Sequence, residues 1–61
     1  MTITVYLRNG RGAVGDLSLR VICDLLADAQ DKSDAKYSLP TFGGGEFLFE
    51  ASDVSRIEVL P

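Results

Sequence analysis

The chain has 61 residues, 46% of them apolar and 25% charged, with no histidine and one cysteine. This length allows one small domain, residues 1–61, and the apolar content predicts that it folds. Nine acidic residues against six basic ones give a net charge of −3, which argues against direct nucleic-acid binding because phosphate recognition depends on many Lys and Arg side chains. Chains this small bury little surface, so we expect a bound partner or a homodimer.

The cysteine content and the apolar stretches indicate the compartment. Cys23 is the only cysteine, so the chain cannot form an internal disulfide, which is usual in a reducing environment. The N-terminal residues alternate like a strand and not like a signal peptide. No stretch approaches the roughly 20 apolar residues that cross a bilayer, so no membrane segment is predicted. We therefore expect a cytoplasmic protein.

The first half of the chain predicts a strand, a loop and a helix. Residues 2–8 alternate between polar and apolar, which is typical of a half-buried strand. Residues 9–15 contain three glycines and are predicted as a loop, after which Asp16 or Ser18 can cap a helix over residues 17–31. The apolar stripe of this helix comprises Val21, Ile22, Leu25, Leu26 and Ala29.

The second half predicts three strands, at residues 36–39, 46–51 and 56–60. Pro40 ends the first of them because it cannot donate to a ladder. Short connections favour an antiparallel meander, with the first strand of the chain paired to the last and the 36–39 strand at an edge. The predicted core of the sheet comprises Ile3, Val5, Leu7, Leu39, Phe47, Phe49, Ile57 and Val59.

These elements predict an α+β fold: a single two-layer domain with one helix packed on a mainly antiparallel four-stranded sheet, in the order β-α-β-β-β. A small all-β barrel is the rival fold. Residues 17–25 suggest this barrel because they also alternate in the manner of a strand. In the barrel, however, the side chains of Ile22 and Leu26 would be exposed to water.

Residues 10–15 match the pattern G-x-G-x-x-G, which in dinucleotide-binding folds holds a pyrophosphate at a helix N-terminus. Such a fold needs a second strand ending in an acidic residue, whereas the corresponding strand here ends in Pro40. A tight loop is therefore the simpler interpretation. The alternative is an anion site formed by Arg8, Arg11 and the backbone around Gly12.

Asp24, Asp28 and Asp31 are spaced i, i+4 and i+7, which predicts a row of carboxylates on the helix face away from the core. Asp34 follows just beyond. Like charges at this spacing repel one another, so helix stability does not favour them. One interpretation is a solvated face, and the other is a surface that binds Lys and Arg of a basic partner. A metal site is not expected, because a straight helix spreads the oxygens apart.

Three apolar or aromatic side chains are further candidates for partner binding. Tyr6 and Leu48 are predicted on the outer face of the sheet, among charged residues, which is the composition of a modest interface. Phe42 lies in the glycine-rich loop at residues 41–45 and either covers the core or contacts a partner. Isolated exposed apolar residues are also ordinary on protein surfaces.

Catalysis is the least supported class of function. Without histidine the chain has no imidazole for acid–base chemistry, no Ser–His pair and no usual zinc set, and Cys23 has no group to activate it. We expect a binding protein with no cofactor and no metal.

In general character, this short, acidic, histidine-free chain with the aspartates Asp24, Asp28 and Asp31 resembles the small inhibitors that phages and mobile elements encode against host defence, including anti-CRISPR proteins. The resemblance implies a protein that binds a nucleic-acid-handling complex and blocks its basic surface. Two alternatives stay open. One is an oligomeric protein that sequesters a small ligand such as a nucleotide at the glycine loop, and the other is a small regulatory or structural subunit.

Overall fold

The computed structural model describes all 61 residues and contains five strands, one α-helix and one turn of 3₁₀-helix. The strands are β1 (Thr2–Leu7), β2 (Gly12–Asp16), β3 (Lys36–Pro40), β4 (Glu46–Glu50) and β5 (Val54–Val59); α1 spans Leu19–Gln30 and the 3₁₀ turn spans Ala51–Asp53. All strand pairs are antiparallel. The α+β class is thus confirmed, and the rival all-β barrel is wrong because the stretch in question is helical.

The strands form two sheets, not the single four-stranded sheet predicted. β1 lies between β2 and β5 in a three-stranded sheet, and β3 pairs with β4 alone, in what we call the β3–β4 ribbon. The two sheets meet at one backbone bridge, between Gly15 and Thr41. The pairing of the first strand with the last is confirmed. The order β-α-β-β-β is wrong because a second strand precedes the helix.

Strand β2 lies where the glycine content predicts a loop. Its glycines mark close approaches of another backbone: a Cβ on Gly12 would lie 2.8 Å from the carbonyl oxygen of Val5, and a Cβ on Gly15 would lie 2.0 Å from that of Pro40. Glycine is unfavourable in a strand by propensity, but only glycine permits such approaches. The turn between β1 and β2 covers only residues 8–11, and the N–H of Leu7 closes it by donating to the carbonyl of Arg11 at 2.8 Å.

The core lies between the inner faces of the two sheets and α1. It comprises Ile3, Val5, Leu7, Ile22, Leu25, Leu39, Phe49, Ala51 and Val54. Of the residues predicted for the sheet core, Phe47 and Ile57 are only half-buried. Val59 is 55% exposed, so its prediction as a core residue is wrong. It is the last residue of β5, and no strand covers the far side of β5.

Helix α1 begins after Ser18, whose Oγ accepts a hydrogen bond from the N–H of Val21 at 3.3 Å. The cap prediction is therefore confirmed for Ser18, while Asp16 lies in β2. The buried face of the helix is narrower than predicted, because Ile22 and Leu25 are buried but Leu26 is 50% exposed. Leu26 lies about 100° around the helix axis from Leu25. The helix has neither the length nor the apolar character to cross a membrane.

Candidate functional site

The glycine run at residues 10–15 does not lead into a helix. It contains the end of the β1–β2 turn and the first four residues of β2, and α1 begins only at Leu19. The strand residues are paired with β1 along their length. The dinucleotide-type arrangement, with amides of the run gathered at a helix N-terminus, is therefore not formed.

The two arginines of the predicted anion site lie at the β1–β2 turn and are both exposed. The backbone N–H of Arg8 donates to the carbonyl of Asp53 at 2.9 Å. The guanidinium of Arg11 lies over the ring of Phe47, 5.7 Å from its centroid, a cation–π arrangement. Gly12 is a strand residue of β2. The structure thus brings the three residues to one end of the hairpin but holds one arginine against an aromatic ring.

The four aspartates of the predicted row differ in environment. Asp24, Asp31 and Asp34 are exposed, whereas Asp28 is half-buried. The hydroxyl of Tyr37 donates a hydrogen bond of 2.5 Å to Oδ2 of Asp28. This bond, together with burial and the negative charges of Asp28 and Asp24, raises the pKa of Tyr37 to about 12. The prediction that the row points outward together is therefore wrong for Asp28, which joins α1 to β3.

The exposed aspartates have no ionic partner within the chain. The one salt bridge joins Arg56 to Glu58 at 2.9 Å, on β5. No basic residue lies in the last turn of α1, and Asp31 is the residue that ends the helix. A carboxylate at a helix C-terminus meets the negative end of the macrodipole, which is unfavourable by about 0.3–1 kcal/mol. The three carboxylates are therefore uncompensated within the chain, and that of Asp31 is also unfavourable for the helix.

On the outer face of the three-stranded sheet, Tyr6 makes a contact within the chain. The guanidinium of Arg56 lies over the ring of Tyr6, 4.5 Å from its centroid, and the same arginine pairs with Glu58. Tyr6 is only half-exposed. The structure thus places Tyr6 on the predicted face, but with its ring covered by a neighbouring strand.

The β3–β4 ribbon presents the other two candidates. Leu48 is 69% exposed on the outer face of β4, and Phe42 is 68% exposed in the turn between the strands. Of the two interpretations of Phe42, the one in which it covers the core is therefore wrong. Next to Leu48 is a shallow groove of about 400 Å³. Its lining consists of Lys36, Tyr37, Ser38, Leu48, Phe49 and Glu50.

Sequence reasoning missed Tyr37 as a residue of these surfaces. Glu46 and Glu50, by contrast, are predicted among the charged residues around Leu48, because the alternation Glu-x-Leu-x-Glu in β4 places both glutamates on the same face as this leucine. No comparable signal exists for Tyr37, because its bond to Asp28 depends on how α1 lies against β3.

Comparison with known proteins gives no relative to reason from: no protein-family model, no curated protein and no solved structure matches the chain. No group of three potential ligand side chains is placed to hold a metal ion. The function is therefore argued from the surfaces of the chain itself.

Proposed function

We propose that this chain is a small non-enzymatic interaction protein of the anti-CRISPR-like kind, which binds a nucleic-acid-handling complex and blocks its basic surface. The observation that carries the proposal is the placement of charge. Residues 24–34 hold four aspartates and one lysine, a net charge of −3, and the other residues hold five acidic and five basic side chains. The whole net charge of the protein thus lies in one segment, which we call the acidic segment.

Stability explains only Asp28 of the acidic segment, through its hydrogen bond from Tyr37. Three of its carboxylates, on Asp24, Asp31 and Asp34, are exposed and lack ion pairs, and Asp31 lies at the negative end of the helix dipole. An unfavourable arrangement of this kind is expected at a binding surface, where the partner supplies the missing charge. The long-range attraction would also orient the protein as it approaches a basic partner.

The amount of charge favours steric blocking over imitation of DNA. The protein measures 29 × 23 × 17 Å, and a duplex 29 Å long carries about 17 negative charges. A net charge of −3 is far below this. The acidic segment would therefore guide and attach the protein, and its bulk would then occupy the path of the nucleic acid.

The test measures target-DNA binding by a panel of purified RNA-guided nuclease complexes, with and without the protein, by gel shift at increasing salt. We expect one complex to lose DNA binding, with an affinity for the protein that weakens as salt rises. The triple variant Asp24→Asn, Asp31→Asn and Asp34→Asn should bind that complex about tenfold more weakly, since each exposed ion pair contributes less than about 1 kcal/mol.

The matched control removes three charges elsewhere, by Asp16→Asn, Asp53→Asn and Glu58→Gln. It changes the net charge equally, so it separates the acidic segment from overall charge. The proposal fails if no complex in the panel is inhibited, or if the two triple variants inhibit equally.

No specific contact favours the other two classes. The glycine run that would hold a nucleotide forms part of β2 and is paired with β1. On the outer sheet face that would serve a structural subunit, the ring of Tyr6 already contacts Arg56. The acidic segment remains the surface with the most distinctive electrostatics.

A further inference from the structure

One edge of β4 has no partner in the chain. β4 pairs with β3 on one side only, and β5, which follows it after the 3₁₀ turn, pairs with β1 instead. An unpaired strand edge presents a row of N–H and C=O groups that can bind another extended segment.

The register of the ribbon shows which groups face outward. The N–H of Thr41 donates to the carbonyl of Gly45 at 3.0 Å, and the N–H of Ala51 donates to that of Ala35 at 2.9 Å. The two bonded pairs flank the ladder at its two ends, an even number of residues apart along β3, and in an antiparallel pair bonded positions alternate with unbonded ones. The backbone groups of Glu46, Leu48 and Glu50 therefore point away from β3.

The side chains along this edge have a distinct pattern. Leu48 is 69% exposed and lies between two glutamates on the outer face of the ribbon. Ser38 on β3 donates a hydrogen bond of 2.7 Å to Glu46 Oε2, so this carboxylate is fixed on the outer face of the ribbon, with no further partner in the chain for its second oxygen. Charged residues often protect an edge from aggregation, but that role does not require a central exposed leucine. The exposed leucine between two carboxylates offers an added strand both an apolar contact and two charge pairs.

A second copy of the chain fits this edge poorly. Antiparallel pairing of two β4 strands about Leu48 would place Glu46 of one copy opposite Glu50 of the other, twice. Like charges directly opposite each other across strands are destabilising. The same two carboxylates would attract Lys or Arg at those positions in a different chain.

We propose that the free edge of β4 binds an extended segment of a partner protein as an added antiparallel strand. The segment carries Lys or Arg at two positions four residues apart, opposite Glu46 and Glu50, and an apolar residue midway, opposite Leu48. Main-chain bonds supply affinity, and the three side-chain pairs supply specificity. This surface is separate from the acidic segment, and the inference does not depend on the proposed function.

The test is an NMR titration of the labelled protein with two synthetic peptides, Gly-Lys-Thr-Val-Thr-Lys-Gly and its counterpart with Glu in place of both Lys. We expect the lysine peptide to shift the amide resonance of Leu48 and to slow its hydrogen exchange. Its Kd should be about tenfold lower than that of the glutamate peptide, because two cross-strand charge pairs change sign. The outward amide of Ile57, on the free edge of β5, serves as the internal control and should not change.

Two variants complete the test. The double variant Glu46→Lys and Glu50→Lys should reverse the preference and bind the glutamate peptide more tightly. The control Glu58→Lys, on β5, should leave the preference unchanged. The inference is overturned if neither peptide perturbs Leu48, if both bind equally, or if the preference survives the double variant. It is also overturned if the Leu48 amide is already protected by self-association of the free protein, which would make the occupant a second copy.

Discussion

Gly15 is the position at which a single methyl group should do the most damage to this fold. It is buried on β2 and forms the bridge to Thr41 that joins the two sheets. In Gly15→Ala the new Cβ would lie 2.0 Å from the carbonyl oxygen of Pro40 and 2.9 Å from Cγ of Leu39. The leucine can change rotamer, but the carbonyl belongs to the backbone of β3, so the two sheets must move apart.

The magnitude follows from the nature of that contact. Overfilling a packed interior costs about 1–3 kcal/mol, and a clash with backbone lies at the upper end, so we expect a loss of about 3 kcal/mol. A domain of this size has an unfolding free energy of only about 3–9 kcal/mol, by the usual stability per residue. The variant should therefore lose a large part of its stability, with a Tm lower by about 15 °C.

Urea unfolding followed by circular dichroism measures this effect, and two other glycines supply a graded control. Gly12→Ala, with a Cβ 2.8 Å from the Val5 carbonyl oxygen, should lose about 1 kcal/mol. Gly43→Ala meets no atom within 4 Å and should be neutral or slightly stabilising. A Gly15→Ala protein as stable as Gly43→Ala would refute the close approach of the two sheets.

Two further predictions concern α1. Leu25→Ala should lower the free energy of unfolding by about 3 kcal/mol, because Leu25 is 0% exposed. Leu26→Ala should lower it by less than about 1 kcal/mol, because Leu26 is 50% exposed. Equal losses of the two variants in urea unfolding would contradict the assigned helix face. Tyr37→Phe removes the hydrogen bond to Asp28 and should lower the unfolding free energy by about 1 kcal/mol at neutral pH. Since folding raises the pKa of Tyr37 from 10.0 to about 12, the wild-type stabilisation is complete below pH 10 and is lost as the pH rises towards 12. Unfolding measured across that range should show a smaller decline in the variant, and an unchanged decline would count against the bond.

The strands that alternate clearly could be predicted from the sequence, and the strand rich in glycine could not. β1 and β4 lie within a residue of their predicted bounds because alternation of apolar and polar residues reports directly on a half-buried strand. β2 contains two glycines and so has too few side chains to show an alternating pattern. Its position depends on the close approach of the Val5 and Pro40 backbones, which belong to other parts of the chain. Local propensity carries no information about such contacts.

The same limit applies to the candidate surfaces. Exposure of Phe42 and Leu48 follows from a turn and from strand alternation, both of which are local. The covering of Tyr6 by Arg56 and the bond from Tyr37 to Asp28 join side chains from different elements. Those partners depend on how strands and helix are placed against one another, which the pattern of a single element does not specify.

The pairing of β1 with β5 has a consequence for how this protein is made. Its register joins Ile3 to Val59, so the central strand of the larger sheet lacks one neighbour until residues 54–59 have left the ribosome. The two hairpins can form earlier, because each is closed by a short turn. During translation, one edge of β1 therefore stays unpaired, and the core becomes enclosed only after β5 has been synthesised.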